Sequence, residues 1–150
     1  MPPLRAPNWK SLISRLAQDA EFQAPATESQ LAALAESLAV VLPSELRELL
    51  LESDGITADF GSGIVWPLAE IRRHNREFRE NADFSELYMP FDHLLFFGED
   101  GDGDQFAFAI QADGHIRRPD VFRWEHETDA RTWYAGRLEQ FFERRLSKDS

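Results

Sequence analysis

The side chains best suited to chemistry are four carboxylates crowded into one glycine-rich segment of the chain. They are Glu99, Asp100, Asp102 and Asp104. Glycines stand among them, and glycine adopts backbone angles that other residues avoid. Because apolar residues flank the segment on both sides, the pattern predicts two strands joined by a tight acidic turn. Like charges at this spacing repel one another, which is typical of a cation site, of a surface that meets a basic partner, or of a solvated turn.

The spacing of Asp100, Asp102 and Asp104 matches the first ligands of an EF-hand calcium loop. The match then fails, because Gln105 stands where the motif needs glycine and Gln111 stands where it needs a bidentate glutamate. The flanking residues also resemble strands rather than helices. We therefore predict no metal site and no cofactor, and the acidic turn is either solvated or faces a partner.

Histidines and nucleophiles give weaker signals. The four histidines form no His-Glu-x-x-His motif or other close ligand pair. His126-Glu127 follows Trp124 and suits either half of an acid–base or metal site or a structural junction, and we favour the structural role. The chain has no cysteine, no Gly-x-Ser-x-Gly elbow and no phosphate-binding loop. We predict that the protein is not an enzyme, although its 27 acidic residues leave a glycosidase-like pair of carboxylates open.

Composition limits the class of protein and of partner. A chain of 150 residues with 43% hydrophobic residues can bury the core of one domain. Its formal net charge of -11 argues against nucleic acid and anionic membranes as partners and favours a basic protein. The lack of cysteine suits the cytoplasm, and we expect no signal peptide because residues 1–7 lack its apolar core; no apolar run reaches the ~20 residues that a membrane helix needs.

Apolar periodicity predicts the elements that must position these groups. It indicates a first helix from Trp9 to Ala17, a second after a capping box of Thr27 and Gln30, and a third that begins near Pro43. Gly55 is expected to end the third helix. A hairpin with strands at 56–60 and 64–66 and a helix from Pro67 follow, and residues 81–90 are expected to form a loop.

The second half of the chain is predicted to be mainly strands. They are expected at 94–97, 105–110, 115–117 and 121–124, with a hairpin turn at Asp113-Gly114. Asp129 is expected to cap a final helix that contains Trp133 and Leu138. The order predicts an α+β fold with a mostly antiparallel sheet flanked by N-terminal and C-terminal helices. We predict one domain, 1–150, with its core at about 28–146 and residues 1–27 as an N-terminal helical extension.

Aromatic residues in the predicted strands should mostly be buried. An aromatic side chain that is exposed beside acidic residues would instead suit a protein interface.

Taken in order, several landmarks resemble the SUKH superfamily, whose bacterial members are largely immunity proteins against polymorphic toxins and which is shared with a fungal cell-wall regulator family. The landmarks are Leu42-Pro43, Asp54-Gly55, Trp66, Phe97-Gly98, Gly103-Asp104 and Trp124 with His126-Glu127. The similarity covers roughly residues 31–142. Asp54 replaces the commoner asparagine, and Arg117-Arg118-Pro119-Asp120 lengthens the last strand connection. The resemblance implies a SUKH-like α+β fold and binding without catalysis.

From this resemblance and the charge we expect an immunity protein that neutralises a cognate toxin with a basic, nuclease-type domain. The alternatives are a metal-dependent binding protein or small enzyme that uses the acidic turn, and a regulatory interaction scaffold. The residues expected to bind the partner are Glu99, Asp100, Asp102, Asp104, Asp54 and Asp59. The residues expected to be structural are Pro43, Gly55, Trp66, Gly98, Trp124, His126 and Glu127.

Overall fold

A computed structural model describes residues 8–146, and its first elements are three helices and a short strand. Helix α1 spans Trp9–Leu16, strand β1 Glu21–Phe22, helix α2 Glu28–Leu38 and helix α3 Ser44–Glu52. The predicted capping box of α2 is confirmed, because Thr27 and Gln30 each accept a hydrogen bond from the other's backbone N–H. Pro43 occupies the N-cap of α3.

The first sheet is small and antiparallel. Strand β2 spans Ile56–Ala58 and strand β3 Ser62–Val65, and the sheet order is β1-β2-β3. The predicted hairpin is therefore confirmed, with a shorter first strand. Helix α4, Leu68–Glu80, and helix α5, Ala82–Leu87, lead from this sheet to the next.

The second sheet is a four-stranded antiparallel meander in the order β4-β5-β6-β7. Its strands are Leu94–Glu99, Gln105–Ala109, Val121–Glu125 and Ala130–Ala135. Helix α6, Leu138–Leu146, follows β7. This architecture confirms the predicted α+β class with antiparallel sheets and helices before and after them.

The two sheets meet where β3 passes β4. The Trp66 backbone N–H donates to the Phe97 carbonyl at 2.8 Å. At Gly98, a Cβ atom would lie 2.1 Å from the Ile64 carbonyl oxygen, so the two backbones approach at a distance that only glycine permits. Gly98 thus lets the sheets join.

The core is built largely from aromatic rings. Trp124 is 4% exposed, and its ring centroid lies 5.2–5.8 Å from those of four neighbouring rings, Phe78, Tyr88, Phe91 and Phe96. Phe141 of helix α6 packs against aromatic rings of the second sheet. Phe142 of the same helix meets Trp9 of α1 edge-to-face, with ring centroids 5.8 Å apart. The first and last helices therefore close the same core.

A buried amide fixes α4 to β4. Asn75 is 1% exposed, and its side chain donates to the Ile71 and Phe96 carbonyls at 2.7 and 2.8 Å. Its oxygen accepts the Phe96 N–H at 2.8 Å. Both backbone groups of Phe96 are thereby satisfied by one side chain, as burial demands.

Three local predictions were wrong or incomplete, and a fourth, larger error concerns the segment after Asp129. The loop expected at 81–90 contains α5, because Asn81 accepts the Asp83 N–H at 2.8 Å and caps a helix. Residues 115–117 form no strand, and His115 makes only an isolated bridge to Val41. Gly55 does not end α3, which stops at Glu52, although its φ of +99° is left-handed.

The largest error concerns the segment that follows Asp129. Asp129 was expected to cap the final helix, and it does not. Asp129 has φ +63° and turns the chain into β7, and α6 begins only at Leu138. Trp133 consequently lies on a strand and is 56% exposed. The β-branched and aromatic residues at 132–134 favour a strand, and pairing with β6 realises that preference.

Candidate partner-binding site

The acidic turn, residues 99–104, borders a cleft with a volume of about 610 Å³. Phe106, Arg123 and Tyr134 lie on three adjacent strands and form its floor. The β2–β3 turn (residues 59–61) and the ends of α1 and α6 supply the remaining walls. Those walls include Leu16, Ala17, Gln18, Asp19, Asp59, Phe60, Asp100, Asp102, Arg144, Arg145 and Leu146.

Asp104 is the buried centre of the acidic turn. Its Oδ2 accepts hydrogen bonds from Arg123 at 2.7 and 3.1 Å, and its Oδ1 accepts the N–H and Nδ1 of His126 at 3.1 and 2.7 Å. Burial alone would raise the pKa of Asp104, but the hydrogen bonds from His126 and Arg123 outweigh it and lower that pKa. The same contact raises the pKa of His126. Asp104 therefore holds the framework of the turn together.

Asp100 and Glu99 are also engaged within the protein. Asp100 lies 3.2 Å from the Arg123 guanidinium and accepts the Asp102 N–H at 2.8 Å. Glu99 accepts the Gly63 N–H at 3.3 Å, which ties the acidic turn to β3. Asp102 itself is exposed and points its charge toward solvent.

Asp59 and Asp54 take different positions. Asp59 lies in the β2–β3 turn and pairs with Arg145 of α6 at 2.9 Å. Asp54 accepts the Leu68 N–H at 2.8 Å at the start of α4, and it lines a separate groove with Arg72. The structure thus brings Asp59, Asp100 and Asp102 together at one cleft, places Glu99 and Asp104 behind them, and leaves Asp54 elsewhere.

The residues expected to be structural lie mainly at junctions. A Cβ at Gly55 would stand 2.9 Å from the Pro67 nitrogen. Trp66 is buried and stacks on His74 with ring centroids 4.2 Å apart. The Trp124 indole N–H donates to Asp129 at 2.8 Å, whereas Glu127 is exposed.

Sequence reasoning missed the basic half of the cleft and its exposed aromatic. The Arg144 guanidinium stacks 4.1 Å from the centre of the Tyr134 ring and donates to the Tyr134 carbonyl at 2.7 Å. Phe60 projects fully into solvent from the β2–β3 turn. The only sequence signal was the pair Arg144-Arg145 near a helix end, which equally suits the helix dipole.

The cleft is lined by charged side chains of both signs. Within residues 8–146, no three or more His, Asp and Glu side chains are grouped so that they could hold a metal ion. Arg123 instead occupies the space between the carboxylates of Asp100 and Asp104. None of the helices in the described part of the chain is long and apolar enough to cross a membrane.

Comparison with known families adds one finding. A family model described as the SMI1 / KNR4 family (SUKH-1) matches residues 25–144. This range contains every strand from β2 to β7 and both turns of the cleft. A comparison with curated proteins found no significant match.

Proposed function

The chain belongs to the SMI1/KNR4 family (SUKH-1), and on that premise we propose that it is an immunity protein that binds a cognate protein toxin and neutralises it without catalysis. Membership supports an immunity-type or SMI1/KNR4-like role in general, with a protein as partner. That the partner is a toxin, and that binding neutralises it, is what we propose beyond family membership. We infer a basic toxin domain of the nuclease type.

The observation that carries this proposal is the convergence of carboxylates from two turns at one cleft. Asp59 comes from the first sheet, and Asp100 and Asp102 come from the second. The chain as a whole carries a net charge of -11, so the field around the cleft attracts cations. A nuclease domain must be basic where it holds phosphates, and carboxylates can occupy that surface in place of the nucleic acid.

In this proposal, one group of carboxylates attracts the partner and a second group has a structural role. Asp59, Asp100 and Asp102 line the cleft and steer the partner, and Glu99 adds its charge from behind them, whereas Asp104 and Asp54 hold the turn and the start of α4. Charges at an interface rim mainly accelerate association, and salt screens that effect. Neutralisation follows because the bound protein covers the toxin's active surface.

The test requires the cognate toxin domain, which is first sought among the genes that neighbour this one. A triple variant, Glu99→Gln, Asp100→Asn and Asp102→Asn, keeps an acceptor oxygen at each position and removes three charges. We expect it to associate more slowly and with a flatter salt dependence. Association rates are measured by stopped-flow fluorescence from about 0.05 to 0.5 M salt, a range over which the screening length shortens several-fold.

A matched control removes the same charge elsewhere. Glu77, Glu80 and Glu86 are exposed on α4 and α5, and their combined change to glutamine should leave the rate near that of the parent. Equal rates for the parent and the acidic-turn variant across all salt concentrations would show that the binding face lies elsewhere. No binding and no protection of cells that express the toxin domain would reject the immunity role.

A further inference from the structure

We propose that Phe60, at the tip of the β2–β3 turn, is the anchor that this chain inserts into its protein partner. The partner surface would present an apolar pocket surrounded by lysine and arginine side chains. This inference rests on the proposed function, since it names the residue and the partner chemistry of that same cleft. It adds an apolar contact to a site otherwise described by charge alone.

The exposure of the Phe60 ring is extreme. Phe60 is 100% exposed, whereas the other large apolar residues that are exposed within residues 8–146 lie between 51% and 71%. Single exposed apolar residues are common on proteins, but a phenylalanine without any shielding leaves its whole ring in water. The ring therefore contributes little to the stability of this chain.

The backbone under the ring is also unfavourable for this residue type. Asp59, Phe60 and Gly61 have successive φ angles of 52°, 64° and 82°, all in the left-handed region. Glycine and asparagine adopt these angles readily, and bulky residues do so at a cost. The turn therefore carries a phenylalanine where stability alone would favour asparagine or glycine.

Contacts from other elements hold this turn in place. The Phe60 N–H donates to Asp19 at 3.0 Å, and Asp59 pairs with Arg145 of α6 at 2.9 Å. The Ser62 hydroxyl donates to the Asp59 carbonyl at 3.1 Å. Because the backbone of the turn is already held, it loses little conformational freedom when the ring binds, which suits an interface anchor.

The surroundings of Phe60 decide the chemistry of its partner. Four carboxylates, those of Asp19, Asp59, Asp100 and Asp102, line the same cleft as the ring, against three guanidinium groups, those of Arg123, Arg144 and Arg145. Because acidic groups prevail there and the whole chain carries a net charge of -11, a pocket that receives Phe60 is complementary when it lies among cations. A second copy of this chain or an anionic lipid surface would instead bring like charges together, because the chain carries a net charge of -11.

The experiment compares the parent with Phe60→Asn, Phe60→Tyr and Leu87→Asn. Asparagine accepts the left-handed angle and removes the ring, tyrosine keeps a ring, and Leu87 is 71% exposed on α5. The probe is the toxin domain identified for the test of the proposed function, and affinity is measured by isothermal titration calorimetry at fixed salt. Thermal melts and sedimentation of each variant alone accompany it.

We expect Phe60→Asn to weaken binding by about 30-fold or more, the effect of losing a hot-spot side chain, while its melting temperature equals or exceeds that of the parent. Phe60→Tyr and Leu87→Asn should bind within about 3-fold of the parent. If the parent binds and Phe60→Asn binds equally well, the anchor is wrong and the proposed function stands. If the parent does not bind, the proposed function fails, and the occupant inferred here fails with it. Self-association of the parent that Phe60→Asn abolishes would assign the tip to a second copy and overturn the inference.

Discussion

Replacing Gly98 with alanine should strain the junction between the two sheets. The added methyl carbon would lie 2.1 Å from the Ile64 carbonyl oxygen, where ordinary contact begins near 3.4 Å. The obstacle is backbone rather than a flexible side chain, so β3 and β4 must separate by roughly 1 Å to accept it. That movement lengthens the bond from the Trp66 N–H to the Phe97 carbonyl, now 2.8 Å. Overpacking costs about 1–3 kcal/mol and the lost hydrogen bond about 1 kcal/mol more, so we expect a loss of about 2–4 kcal/mol.

Urea denaturation and thermal melts followed by circular dichroism measure this loss, and Gly61→Ala is the control. Gly61 has φ +82° with no atom within 4 Å of its would-be Cβ, so its variant meets conformational cost without collision. That cost is about 1–2 kcal/mol. For a chain of this size each kcal/mol shifts the melting temperature by about 2–4 °C, so Gly98→Ala should melt roughly 5–15 °C below the parent. If Gly98→Ala is no less stable than Gly61→Ala, the close approach of the sheets is not what requires glycine.

Three further substitutions probe the core and the acidic turn. Trp124→Ala should cost about 3–5 kcal/mol of unfolding free energy because the indole is buried, whereas Trp133→Ala should cost less than about 1 kcal/mol; urea titrations compare the two, and similar losses would contradict the burial. Asn75→Leu should cost about 2–4 kcal/mol because it leaves the buried backbone groups of Phe96 without partners, and an unchanged urea midpoint would refute this. The raised pKa of His126 means that its proton stabilises the fold below about pH 6.5 and that this contribution disappears as pH rises through the folded-state pKa. The unfolding free energy of the parent should therefore be lower at about pH 8 than at about pH 6, and this decrease should be smaller in His126→Gln. An equal decrease in both proteins would count against the His126 contact.

Local signals were sufficient for much of the fold. The capping box at Thr27 and Gln30 depends on residues three positions apart, and the strands around the acidic turn follow from two apolar runs that flank a segment of glycines and carboxylates. Residues 130–135 could not be assigned in this way. Their apolar spacing also fits a helix, and pairing with β6 decides in favour of the strand.

The candidate site was predictable only in part, because long-range contacts build it. The acidic turn was visible in the sequence, but the arginine that binds two of its carboxylates is Arg123 on β6. Asp59 and Arg145 are 86 residues apart, so nothing in either neighbourhood indicates their pairing. The exposure of Phe60 likewise follows from the direction in which a turn points, and residue type alone suggested a buried ring.

Helix α6 has a consequence for how the protein is made. It supplies Arg144 and Arg145 to the cleft and Phe142 to the contact with α1, which precedes it by about 120 residues. At ribosomal speeds of ~5–20 residues per second, α1 waits about 6–24 s for this partner to be synthesised. The nascent chain must hold its exposed aromatic residues apart from other chains during that interval. The cleft is then the last part of the fold to be completed, so a stalled or shortened translation product has no finished surface with which to bind.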